Sequence, residues 1–324
     1  MSRTNYQSLL FALLVLGFAL VQKTESGAEE FRNQQGLKLY DPTFAAETIP
    51  TTREANIINT VPQGKKMMGS AQSVRFVPQG EERRITMPNL SAQAVFARDL
   101  GGPRIYAAKA SDTVWPIASI TKLMTAVIAE EMLNEENLIT LSETAIATEG
   151  FSGDFALHDM YALSDMISAM LVISSNDAAY AIAEYMGYDT FVAEMNKKAG
   201  VLGMARTSYA DPTGLSPINT STPEDIEKLV SYILVHHPHI FEITKQPSIT
   251  VRELTKNREH VIINNNAFSG RRDFLGGKTG YLDESLGNLI SLFTFGEKQY
   301  LIILFGSQSR FNDTEKIYNA IRQI

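Results

Sequence analysis

Apolar positions change their spacing along this chain, and the changes divide it. Residues 9–21 form an unbroken apolar run behind Arg3, followed by a polar stretch through Ala28. Residues 29–90 are polar, with scattered Pro and Gly and no sustained period. Patterned sequence starts at residue 91. Residues 92–98, the turn Asp99-Leu100-Gly101-Gly102-Pro103 and residues 104–107 read as strand, turn and strand. A long helical pattern covers 118–131, and others follow at 164–172, 177–186, 190–199 and 223–234. Strand-like runs return at 248–254, 274–279, 286–294 and 300–306, the last two joined by the hairpin signal Phe295-Gly296-Glu297-Lys298. A final amphipathic helix is predicted over 314–324. Strands at both ends of a helical middle predict an α+β architecture: a mostly antiparallel sheet covered by helices, with an inserted all-helical subdomain.

Three segments follow from this pattern. The 13 apolar residues at 9–21 are fewer than the roughly 20 of a spanning helix and suit the core of a signal peptide. Ser26-x-Ala28 offers a cleavage site, so residues 1–28 are expected to be a signal peptide, with an uncleaved signal anchor as the alternative. Either places the protein outside the cytoplasm, periplasmic or on the outer face of the membrane or wall, with membrane contact only through an uncleaved leader. Residues 29–90 read as a polar tether or arm, and 91–324 as the ordered domain. Val-Pro-Gln-Gly occurs at 61–64 and at 77–80, too few copies for a repeat architecture.

Composition removes several function classes. Of 324 residues, 44% are hydrophobic and 20% charged, which is globular composition. The net charge of −7, in mixed signs with no basic patch, argues against a nucleic-acid partner. With no cysteine there is no disulfide, no Cys-ligated zinc and no thiol nucleophile.

What remains is hydroxyl chemistry. Ser119 and Lys122 are spaced to share one helix face, with Pro116 just ahead. That face carries small residues (Ala118, Thr125, Ala126, Ala129), while the other sides are bulky, so the helix reads as buried. A lysine there is dehydrated unless the small strip lines a cleft. A serine hydroxyl needs a base within reach, and lysine serves once burial lowers its pKa. The plain alternative is a serine near a cap and a lysine snorkelling outward. Ser174-Ser175-Asn176-Asp177 sits where one helix stops and another starts; capping alone explains such residues, while chemistry adds a proton-relaying hydroxyl and an amide for a carbonyl. Gly276-Gly277-Lys278-Thr279-Gly280 is a turn with a surface lysine or an edge strand bearing a cation. It is not a phosphate loop, because Arg272 stands where that motif needs glycine.

In this order, Ser-x-x-Lys, Ser-x-Asn and Lys-Thr-Gly resemble the penicillin-recognising serine peptidases. Residues 115–126, Ser175-Asn176-Asp177-Ala178-Ala179, Asp211-Pro212-Thr213-Gly214-Leu215 and Ser221-Thr222-Pro223-Glu224-Asp225 are similar to the D-alanyl-D-alanine carboxypeptidases and endopeptidases among them. The resemblance spans roughly 91–324 and implies the β-lactamase/DD-peptidase-like fold. It implies Ser119 as nucleophile, Lys122 as base and Ser174 as proton relay to the leaving amine. It places Asn176, Lys278, Thr279 and Gly280 along the peptide, with the backbone N–H groups of Ser119 and Tyr281 as oxyanion donors. Arg310 would lie near the substrate's carboxylate end. The implied partners are peptidoglycan stem peptides, with β-lactams as covalent inhibitors; no cofactor and no metal is implied.

The chain departs from the family at some positions. Pro223-Glu224 occupies a segment where the carboxypeptidases often carry arginine, and 282–286 is bulkier than usual there. The short stretch after Gly280 suits the endopeptidase-type members. Two other readings stand beside a DD-peptidase. One is a serine β-lactamase, against which residues 209–215 offer Asp211 but no Glu to activate a deacylating water. The other is a wall-binding or sensor module with a vestigial site. His236-His237-Pro238-His239, at a helix end, suits the helix dipole and solvent better than a metal.

Overall fold

The computed structural model describes residues 88–150 and 153–324; the predicted leader and the tether up to residue 87 lie outside the described residues. The chain runs through β1 (Ala94–Asp99), β2 (Ile105–Lys109), the short β3 (Trp115–Pro116), a 3-10 turn (Ala118–Thr121) and α1 (Lys122–Met132). Next come β4 (Leu138–Thr140), α2 (Glu143–Ile146), β5 (Met160–Ala162), α3 (Leu163–Val172), α4 (Asn176–Met186) and α5 (Tyr188–Val201). β6 (Thr220–Ser221), α6 (Pro223–His236), α7 (His239–Thr244), β7 (Ser248–Glu253) and β8 (Arg258–Ile263) follow, then β9 (Phe274–Leu282), β10 (Leu286–Phe295), β11 (Lys298–Ser307) and α8 (Arg310–Arg322).

The main sheet has the order β2-β1-β11-β10-β9, every pairing antiparallel. Both faces are covered, which explains why β11 reads as a continuous apolar run over 300–305 rather than an alternating one. Val95, Leu289, Phe293, Ile302 and Leu304 turn to one face and pack with Ile317, Tyr318 and Ile321 of α8. Phe96, Ile290, Leu292, Ile303 and Phe305 turn to the other and join the core of the helical middle. There α1 packs against α3, α4 and α5, with every residue from Lys122 to Ala129 buried. The expected α+β layout, sheet at both chain ends and helices between, is the one observed.

Three local differences have physical causes. Ala118 takes φ +49°, so the helix expected from 118 begins as a 3-10 turn and becomes α-helical only at Lys122. β7 pairs with β8, a strand whose outward Glu259, Val261 and Ile263 give no regular polar alternation. The last helix starts at Arg310 rather than at 314, so Arg310 belongs to its first turn. His237 and His239 both bond Glu130 near the end of α1, at 2.8 and 2.7 Å. That bond is the main reason the His237 imidazole is held above its ordinary pKa. Among the described residues no helix is long and apolar enough to cross a membrane.

The start of the domain is fastened to its end. Asp313 Oδ2 accepts from Ser91 N (2.9 Å), Ser91 Oγ (2.6 Å), Ala92 N (3.0 Å) and Ser307 Oγ (2.8 Å). These donors outweigh the cost of burial and hold the Asp313 carboxyl below the ordinary 3.8. A depressed carboxylate stabilises the fold above its unfolded pKa and ceases to do so as pH falls through the folded value. Asp313→Ala is therefore expected to cost about 2–3 kcal/mol at neutral pH. In thermal melts, its gap from wild type should narrow below pH about 4.

Candidate active site

The geometry starts from the short β3–β6 pairing, which carries the chain to Ser119. Trp115 pairs with Ser221 and Pro116 with Thr220, while Ile117 N donates to Asn219 O at 2.9 Å. Ala118 then adopts its left-handed conformation, which costs a non-glycine residue on the order of 1–2 kcal/mol. Its neighbours enforce it. A Cβ on Gly214 (φ +83°) would lie 2.1 Å from Ala118 O and 2.9 Å from Ser119 N. One on Gly280 of β9 would lie 2.9 Å from Ile117 O. Two glycines thus let a loop and a strand close on the Ser119 turn from both sides.

Lys122, one turn on, is fully buried. Its Nζ lies 3.0 Å from Ser119 Oγ and 2.7 Å from Asn176 Oδ1, and it also bonds the Thr213 carbonyl. Burial lowers its pKa from 10.5 to about 7, against the raising influence of Asp211. Asn176 Oδ1 and the Thr213 carbonyl can only accept, so a neutral amine gives them its two N–H groups. Its lone pair is then left facing the Ser119 hydroxyl.

The Ser-Ser-Asn-Asp run divides its labour. Ser175 is the cap of α4, accepting from Ala178 N at 3.2 Å. Capping therefore does not account for Ser174 or Asn176. Ser174, left-handed at φ +66°, accepts from Lys278 Nζ at 2.9 Å. Asn176 gives an amide N–H to Glu149 O at 2.7 Å, which fixes its oxygen toward Lys122. The amide read from sequence as a ligand for a substrate carbonyl thus holds the lysine in this structure.

Lys278 is buried on β9, its Nζ also donating to Thr279 O at 3.0 Å. Burial, then the cations of Lys122 and Arg310, hold its pKa well below the ordinary value. Thr279 Oγ1 donates to Asn265 Oδ1 at 3.1 Å. Arg310 reaches β9 from α8 and donates to Gly280 O at 2.7 Å; Tyr281 extends into solvent. Glu224, in the segment where arginine was considered, bonds Ser111 Oγ at 2.7 Å. The sequence-predicted residues thus lie in two hydrogen-bonded clusters or on β9, apart from Arg310, which reaches β9 from α8. Sequence reading missed Thr213, Glu149 and Asn265. The first two act through backbone carbonyls, for which no side-chain signal exists, and Asn265 sits in a run of three asparagines that reads as a plain turn.

A turn-borne serine bonded to a dry lysine, with a second buried lysine on an antiparallel edge strand, is the arrangement into which the fold brings the three sequence motifs. The family profile described as D-alanyl-D-alanine carboxypeptidase matches residues 81–309, and the chain belongs to that family. It is 32% identical over 206 residues to a D-alanyl-D-alanine endopeptidase of Haemophilus influenzae, covering 61% of this chain and 69% of that protein. It is 28% identical over 265 residues to the Escherichia coli D-alanyl-D-alanine endopeptidase, covering 76% and 83%. Among solved structures, penicillin-binding protein D2 of Listeria monocytogenes in its ampicillin-bound form matches with TM-score 0.61 and 29% identity, over 72% of this chain and 99% of that one. A mutant of the Streptomyces K15 DD-transpeptidase matches with TM-score 0.67 and 25% identity, over 73% and 100%.

Gly214→Ala tests the backbone packing behind Ser119. Positive φ and a backbone clash together are expected to cost at least about 2 kcal/mol. Gly102→Ala, with open space around it, should leave the melting temperature nearly unchanged.

Proposed function

We propose that this protein is an exported serine DD-peptidase that cleaves D-Ala-containing bonds of peptidoglycan stem peptides through an acyl-enzyme on Ser119. The observation that carries the reading is the dry Lys122 amine, 3.0 Å from Ser119 Oγ and lowered to about 7. The neutral amine takes the hydroxyl proton as Oγ attacks the carbonyl carbon of the scissile bond. The carbonyl oxygen becomes an oxyanion, held by the backbone N–H groups of Ser119 and Tyr281. Ser174, bonded to Lys278, relays a proton to the leaving amine as the C–N bond breaks, and an ester remains. Water then attacks the ester carbon, and Ser119 recovers its proton. Thr279, Gly280 and the nearby Arg310 line the strand on which the peptide lies. A β-lactam enters the same first step, but its amine stays tethered after ring opening. Residues 1–28 serve export and 29–90 tether the catalytic domain.

Slow release of the β-lactam is part of this reading. Asp211 Oδ1 accepts from Thr213 N (2.7 Å), Thr213 Oγ1 (2.6 Å) and Gly214 N (2.6 Å). Its Oδ2 accepts from Ser216 N at 2.9 Å. Both oxygens are engaged by the protein, so this acid is not arranged to activate a deacylating water as a β-lactamase requires. Relatives named endopeptidases and relatives named carboxypeptidases both support a DD-peptidase, and the bond cut is read from the digestion below.

Ser119→Ala is expected to abolish labelling by a fluorescent penicillin, and Lys122→Ala to slow it by about 1,000-fold at neutral pH. Acylation by wild type should rise with pH through about 7, because only the neutral amine accepts the proton. Unchanged labelling of either variant, or rapid penicillin turnover, defeats the assignment. Digestion of purified crosslinked and uncrosslinked muropeptides, read by mass, identifies the bond cut.

A further inference from the structure

We propose that Asp211 is a positioning residue for acylation: through one buried turn it aims the Thr213 carbonyl at Lys122 and presses Gly214 against the Ser119 turn. The inference rests on the reading of Ser119 and Lys122 given above.

Asp211 is nine-tenths buried in the loop between α5 and β6, and its carboxylate closes the turn 211–216 on itself through the four bonds to Thr213, Gly214 and Ser216. Such Asx-type closure by itself says only that the turn is well made. What distinguishes this turn is where its backbone goes. The Thr213 carbonyl, one bond from the N–H that Asp211 holds, accepts from Lys122 Nζ. The Pro212 carbonyl accepts from Thr125 Oγ1 of α1 at 2.6 Å. Asn219 Nδ2 ties the Asp211 carbonyl (2.9 Å) and Thr121 Oγ1 (3.1 Å) together. Gly214 lies against Ala118 and Ser119 N. One turn thus touches the base, the helix that carries it and the nucleophile's own peptide.

The carboxylate acts electrostatically as well. The charged groups that bear on the lysine pair are Asp211, which raises Lys122, and Arg310, which lowers Lys278; Lys122 itself lowers Lys278. Asp211 is the one among them that opposes the burial of Lys122. Its charge sets how far the amine falls, and its hydrogen bonds set which way the lone pair points.

Asp211→Asn keeps the shape of the side chain and removes the charge and one acceptor. Acylation by a fluorescent penicillin, followed from pH about 5 to 9, is expected to slow by about 30-fold at its plateau. Its acid limb is expected to move to lower pH by about half a unit, since the influence that raised Lys122 is gone. Asp211→Glu, which keeps the charge but misfits the turn, should slow acylation with the limb in place. A plateau and limb both like wild type overturn the proposal. So does a slowed plateau with an unmoved limb in Asp211→Asn, which marks a purely structural role. If Asp211→Asn does not fold, Thr213→Val removes one bond to the carboxylate and keeps the carbonyl; several-fold slower acylation supports the brace, and an unchanged rate overturns it. Wild type that never labels at Ser119 defeats the parent reading instead, and is scored before any variant.

Discussion

An amine kept out of water is the condition on which this site depends. Lysine is charged at neutral pH because water solvates the ammonium better than it solvates the amine. Removing that water shifts the balance, and here it brings Lys122 to about 7. The fold supplies the dehydration by placing Lys122 on a helix whose neighbours from Leu123 to Ala129 are all buried. A buried amine with unsatisfied N–H groups would be costly, so the acceptors Asn176 and Thr213 are as necessary as the burial. Lys278, buried on the facing strand, makes the same demand and meets it with Ser174 and its own neighbour's carbonyl.

Close backbone approach is the second requirement. The Ser119 turn is held between β9 and the 211–216 loop, and both meet it at glycine. β9 has its own glycine support: Gly276, at φ +136°, leaves room for the Phe241 carbonyl of α7, and Gly277 N donates to Thr244 Oγ1 at 3.0 Å. The Lys-Thr-Gly strand is thereby clamped between a helix behind it and the serine turn in front. The left-handed residues Ala118 and Ser174 flank this junction, where strain persists because packing over-determines it.

Much of this was legible in the residues. Strands and helices followed from the spacing of apolar positions, and the two-sided burial of β11 matches its unbroken apolar run over 300–305. The Ser119–Lys122 pair could be read because spacing alone places both on one face, and the small strip around them argued for burial. Arg310 was placed near the substrate's carboxylate end only through family resemblance; its bond to Gly280 was not legible, since helix α8 starts earlier than its apolar pattern shows. The left-handed turn at Ala118 was invisible, because the residues that force it are remote in sequence. Asn176 was read as a substrate ligand, yet its partners in the fold are Lys122 and Glu149. Backbone acceptors carry no sequence signature, and the amide's duty depends on them.

The Asp313 lock has a mechanical meaning. Ser91 and Ala92 are gripped by a side chain of the terminal helix just before the chain enters β1, an interior strand flanked by β2 and β11. Tension applied at residue 91 would therefore meet α8 before it reached β1. The clasp on Asp313, rather than the sheet, is thus the first set of bonds that a pull there would open.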